Sequence, residues 1–145
     1  MSLFRPQLWR IPTTGEAERR RLPELTATLE TRLKHIARRY PQAVFASSLA
    51  VEDMIITDAI CRLKLPLRII TLDTGKLNPE TAALITAVNV RYQTELEVFH
   101  PDPESARQFE QEFGATAMYD SVELRRRCCH IRKIEPLNRA LKNAP

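Results

Sequence analysis

The chain has 145 residues, 43% of them hydrophobic and 28% charged, with a formal charge of +4; that length suits one domain whose core needs neither metal nor disulfide to close it. No apolar run approaches the roughly 20 residues that span a bilayer. The opening MSLFRPQLWRIPTTGEAERRR breaks up its apolar residues and carries Glu16 and Glu18, unlike a secretory or organelle-targeting leader, so a cytoplasmic protein without a membrane partner is expected.

An N-terminal arm, residues 1–14, contains Pro6 and Pro12. Leu22, Leu25, Leu29, Leu33, Ile36 and Tyr40 then recur at steps of three and four, the mark of an amphipathic helix, with Pro23 suited to its first turn and Pro41 ending it. AVFAS, 43–47, reads as a short strand. VEDMIITDAICRL, 51–63, has apolar residues on most sides and places Glu52 and Asp53 where acids favour the helix dipole, so a largely buried helix is expected, with Cys61 in the core. LRIITL, 67–72, is rich in branched residues, as in a strand covered on both faces.

Asn78 and Pro79 open the next helix as cap and first residue, with Leu84, Ile85, Val88 and Tyr92 expected to face inward. TELEVF, 94–99, alternates acidic and apolar residues, as a strand near a sheet edge does. Asp102, Pro103 and Gly114 supply cap, first position and stop for a fourth helix. Helical segments around 121–127 and 136–142 flank Cys128 and Cys129. Alternating helices and strands imply an α/β fold with a doubly wound, mainly parallel sheet, in one domain, 1–145, whose last part, 120–145, is a cysteine-pair segment.

Ligands of such sheets sit beyond the carboxyl ends of the strands. Two loops occupy that place. In FASSLAVED, 45–53, Ser47 and Ser48 precede a helix start, which makes either an anion site or a serine-capped turn. In LDTGKLNPET, 72–81, Asp73 can accept from a ribose or an adenine amine, Gly75 lets backbone approach a ligand, and Lys76 supplies charge; a plain turn fits as well.

The third stretch is RRRCCHIRK, 125–133. Adjacent cysteines make a poor disulfide, which leaves reduced thiols or metal ligands. Neighbouring helical residues point about 100° apart, so both sulfurs meet one iron or zinc site only if the chain breaks there, and Pro136 is placed to break it. One buried and one exposed thiol is the structural alternative. His130 is either a ligand or a surface residue. Residues 120 to 145 hold seven Lys/Arg against three Asp/Glu, a charge that draws anions or stabilises thiolates.

Together VFASSLAVEDMIITDAI, TLDTGKLNPET and SVELRRRCCHIRKIEPLNRAL resemble the adenylyl-sulfate reductases of assimilatory sulfate reduction, within the phosphoadenylyl-sulfate reductase family. The resemblance covers residues 44–141. It implies an adenine nucleotide alpha-hydrolase-like fold, a site in which Ser47 and Ser48 hold a phosphosulfate and Asp73, Thr74, Gly75 and Lys76 line the nucleotide, and a four-iron, four-sulfur cluster ligated by Cys128 and Cys129 beside Arg132 and Lys133. It also implies reduction of adenosine 5'-phosphosulfate to sulfite and AMP, with thioredoxin as reductant and no nucleic-acid partner.

The resemblance has two departures. Ala50 stands where the family's phosphate loop has glycine, so a methyl is expected to crowd the ligand or to oppose a positive φ. A second cysteine pair and a C-terminal catalytic cysteine are not among the 145 residues, which implies an N-terminal portion, fragment or truncated relative, that is inactive alone. Two other readings stand beside this one: a non-catalytic adenine-nucleotide-binding or metal-site protein that keeps the fold, and a regulatory protein whose basic segment meets an acidic partner. Homo-oligomerisation is left open.

Overall fold

The computed structural model describes residues 13–144; most of the expected N-terminal arm, with Pro6 and Pro12, lies outside them. In chain order the elements are α1 (Glu16–Arg39), β1 (Val44–Ser47), α2 (Val51–Arg62), β2 (Arg68–Leu72), α3 (Pro79–Tyr92), β3 (Glu97–Phe99) and α4 (Pro103–Phe113). A 3-10 turn (Ala117–Tyr119), α5 (Val122–Cys129), a π turn (His130–Ile134) and α6 (Glu135–Leu141) follow.

The three strands form one parallel sheet in the order β1-β2-β3, with Phe45 opposite Ile69 and Ile70 opposite Glu97. Successive strand residues face opposite sides, and β2 is buried on both. Ile69 joins Leu33 of α1, Ala59 and Ile60 of α2, Val88 of α3 and Leu96 in the main core. Ile70, with no exposed surface, belongs to the other face, which α6 crosses against β2 and β3. Helices therefore cover both sides of a parallel sheet, as the alternating pattern implies. A second core, built on Phe109, Ala117 and Cys128, joins α4 to α5.

Local chemistry sets most element ends. The Asn78 side chain accepts from the Thr81 N–H, Asp102 accepts from Glu104 and Ser105, and Ser121 accepts from Leu124, each satisfying amides that a helix start leaves unpaired. Gly114 stops α4 at φ 94°.

Four expectations are corrected. Helix α1 begins at Glu16, so Pro23 lies inside it: Glu16 and Glu18 favour an earlier start at the dipole's positive end, and Pro23 gives up one helical bond to Arg19. Helix α2 is not largely buried, since Val51 and Ile55 are exposed and Cys61 only half-buried; an outer-layer helix turns one stripe to the sheet, here Thr57, Ala59 and Ile60. Leu84 is exposed for the same reason, while Val88 carries the contact. Finally, Pro136 does not break the chain at the cysteines. Because it cannot donate to the Arg132 carbonyl, the helix widens into the π turn, in which the Glu135 N–H reaches back to His130, and continues as α6.

Candidate functional site

The loop after β1 is held from within. Ser47 is buried and its hydroxyl accepts from the Leu49 N–H at 3.1 Å. Leu49 has φ 64°, a left-handed conformation that side chains disfavour, and is itself buried. Both the N–H and the hydroxyl of Ser48 donate to one oxygen of Asp53, at 2.6 and 2.7 Å. Asp53 does this because Ala50, the residue capping α2, has no side-chain acceptor, leaving the acid in the helix's first turn to fold back onto the loop. Ala50 has φ −70°, so the positive φ expected to need glycine there belongs to Leu49 instead.

In the loop after β2, Asp73 accepts from the Gly75 N–H at 2.9 Å and the Thr74 hydroxyl from the Lys76 N–H at 3.2 Å. Gly75 has φ 69° and passes close under Arg132: a Cβ on it would stand 3.2 Å from Arg132 Nη1. The Asp73 N–H continues the sheet pairing to the Phe99 carbonyl, and His100 lies 3.8 Å from its carboxylate.

The π turn supplies the third side. Arg132, 7% exposed, donates to the Thr74 carbonyl at 2.8 Å and to Glu110 at 2.6 Å. Lys76 reaches the same Glu110 oxygen at 2.8 Å and donates to the Ala115 carbonyl at 3.0 Å. The hydrogen bond from Lys76, then the charges of Lys76 and Arg132, hold the Glu110 carboxyl below its ordinary range.

These three sides enclose a cavity of about 290 Å³ beyond the carboxyl ends of β1 and β2, with Ser47, Ser48, Thr74 and Lys133 at its polar edge and Ile70 and Leu137 among its apolar walls. Four residues singled out in the sequence thus meet at one cavity. Asp73, Gly75, Lys76 and Arg132 stand beside it: Lys76 and Arg132 turn to Glu110, and Asp73 shapes the loop. Sequence reading assigned Asp53 only to the helix dipole and did not single out Glu110. An acid in the first turn behind two serines signals the first. Nothing local signals the second, whose partners lie 22 and 34 positions away.

Cys128 is buried beside Phe109 and Ala117, and Cys129 is half-buried at the end of α5. Among the described residues no group of three or more His, Cys, Asp or Glu could hold a metal ion. A four-iron cluster takes four ligands, so the described residues do not by themselves fit one. Cys61, whose thiol is pushed up by burial and then by Asp58, lies near Lys64 and Leu67, before β2 and away from the cavity.

The sequence profile of the phosphoadenosine phosphosulfate reductase domain matches residues 42–145. The adenosine 5'-phosphosulfate reductase of Neisseria meningitidis serogroup B is 46% identical over 144 residues, covering 99% of this chain and 58% of its own length. That of Burkholderia cepacia is 48% identical over 122 residues, covering 82% and 49%. The chain therefore spans about half the length of these curated relatives. A crystal structure of phosphoadenylyl-sulfate reductase from Candida auris, a phosphate complex, superposes with a TM-score of 0.66 at 23% identity, over 90% of this chain and 64% of that one; at that identity it speaks for the fold alone. By sequence profile, relatives and fold together, the chain belongs to the phosphoadenosine phosphosulfate reductase domain family.

Proposed function

We propose that these residues form the nucleotide-binding part of an adenylyl-sulfate reductase, taking adenosine 5'-phosphosulfate for reduction to sulfite and AMP in sulfate assimilation. The meeting of Ser47, Ser48, Thr74 and Lys133 at one cavity carries this reading. Its apolar walls suit a purine, and its rim offers hydroxyls and one ammonium for an anion. Ser47 is the first hydroxyl to meet the ligand, because it accepts from Leu49 and can still donate its own proton. Ser48 spends both donors on Asp53, so it contacts the phosphosulfate only after that carboxylate yields. Asp73, Gly75 and Lys76 shape the nucleotide side.

In the proposed reaction a cysteine thiolate from outside the described residues attacks the substrate sulfur, the bond to the phosphate oxygen breaks, and AMP leaves with its electron pair. A thioredoxin-type dithiol then supplies two electrons to free sulfite. Cys128 and Cys129 are proposed as two of the four ligands of the iron-sulfur cluster that the family resemblance implies, the others coming from beyond the described residues. No helix among the described residues is long and apolar enough to cross a membrane; a place in the cytoplasm is proposed from the kinship to adenosine 5'-phosphosulfate reductases.

A second reading, an adenine-nucleotide-binding protein without catalysis, is favoured by the packing of Cys128 as an ordinary core thiol. Titration of the chain with AMP tests the binding that both readings share: Lys133→Ala is expected to weaken it about tenfold, the loss of one charge-assisted contact. Unchanged affinity would place the nucleotide elsewhere. Sulfite release with thioredoxin, once the chain is extended by the family's C-terminal cysteine segment, separates the two: release supports catalysis and its absence the binding-only reading.

A further inference from the structure

We propose that Glu110 is a positioning residue for this site: its carboxylate clasps the loop after β2 to the π turn and thereby sets where Lys133 meets the cavity. The inference rests on the nucleotide reading above and assigns a role to a residue outside the cavity.

Three elements meet on one oxygen. Glu110 comes from α4, Lys76 from the loop after β2 and Arg132 from the π turn, at 2.8 and 2.6 Å. Arg132 is the buried member, and a buried guanidinium without a counter-charge is costly. Glu110 is the carboxylate paired with it among the described residues. The other arm of Arg132 holds the Thr74 carbonyl, and Thr74 lines the cavity together with Lys133, the residue after Arg132.

That adjacency matters because the segment is a π turn. A wide turn is a single-turn insertion in an α-helix, and slipping it by one residue would swing each side chain by about a quarter of a turn around the axis. Pinning Arg132 on one side fixes the phase that faces Lys133 to the other. Glu110 is itself half-exposed, and α4 is anchored by the buried Phe109, so an isosteric change at Glu110 leaves the second core in place.

The test uses the whole 145-residue chain as wild type, Glu110→Gln, Lys133→Ala and the double variant, with AMP as ligand in calorimetry and with hydrogen exchange of the ligand-free chains. Glu110→Gln is expected to weaken AMP binding about tenfold, within the coupling range of residues that share a network. Lys133→Ala does likewise, and the double variant should be no weaker than Lys133→Ala, because Glu110 acts through that lysine. Exchange should rise over residues 73–76 and stay unchanged around Phe109. Wild-type affinity in Glu110→Gln, or losses that multiply in the double variant, would overturn the proposal. If the wild type binds no AMP, the nucleotide reading fails. Exchange then decides the clasp: faster exchange over 73–76 in Glu110→Gln supports it, and unchanged exchange overturns it.

Discussion

Arg132 and Gly75 come from segments far apart in sequence, yet a methyl group on Gly75 would stand 3.2 Å from Arg132 Nη1, the nitrogen that donates to the Thr74 carbonyl. That is tighter than an ordinary contact, so with a side chain at 75 the guanidinium would have to move off the loop by a few tenths of an ångström. Gly75 also has φ 69°, which costs other residues about 1–2 kcal/mol. Gly75→Ala is therefore expected to lower the unfolding free energy by at least about 1 kcal/mol with little change in denaturant slope. An unchanged midpoint would show that the loop adopts another conformation.

At Leu49 two effects oppose each other. Glycine there would relieve a left-handed strain of about 1–2 kcal/mol, but it would also empty a buried leucine site, and truncating such a residue costs about 2–5 kcal/mol. Burial wins. Leu49→Gly is expected to destabilise the chain in a denaturant titration, whereas Ala50→Gly, at φ −70°, should stay within about 0.5 kcal/mol. A stabilised Leu49→Gly would reverse this ranking.

Elements whose chemistry is local were legible in the sequence. Asn78 with Pro79, Asp102 with Pro103, and Gly114 mark helix ends that the structure reproduces, and the branched run before Asp73 gives β2. The two loops that frame the cavity were legible too, because a parallel α/β sheet dictates where its ligands sit. What depended on long-range partners was not. The exposure of Val51 and Ile55 follows from which layer α2 occupies, not from its own periodicity. The π turn at the cysteine pair arises from a proline that withholds one N–H inside an otherwise continuous helix. Glu110 looks like any surface acid until Lys76 and Arg132 are brought to it.

Several carboxylates lose their ordinary affinity for protons on folding. The hydrogen bond from Arg68, which grips Glu97 at 2.7 and 2.6 Å between β2 and β3, lowers the Glu97 carboxyl, and Arg107 and then Gln108 lower Glu104; Glu110 joins them through Lys76. A group depressed in the folded state contributes stability above its unfolded value, about 4.3 for glutamate, and loses it as pH falls through the folded value. The thermal midpoint is expected to hold near neutrality and to decline below about pH 4.3, with a weaker decline for Arg68→Met. A midpoint that rises on acidification would contradict this.

Cys128 and Cys129 bring two thiols and no third ligand among the described residues. Anaerobic reconstitution of the 145-residue chain with iron and sulfide should therefore yield little or unstable cluster by absorption and Mössbauer spectra, and no sulfite should form when thioredoxin and substrate are added, because Cys61 lies away from the cavity with its thiol pushed up. A durable, stoichiometric cluster in the monomer would contradict this, whereas one held between two chains would show that a second copy completes the ligand set.

The most direct test of the central claim is titration calorimetry of the chain with AMP, adenosine 5'-phosphosulfate and its 3'-phosphorylated counterpart. The cavity at the carboxyl ends of β1 and β2, together with the adenylyl-sulfate reading proposed for it, predicts that the first two bind and that the 3'-phosphorylated nucleotide binds more weakly. No binding of any adenine nucleotide, or a preference for the 3'-phosphate, would contradict the account.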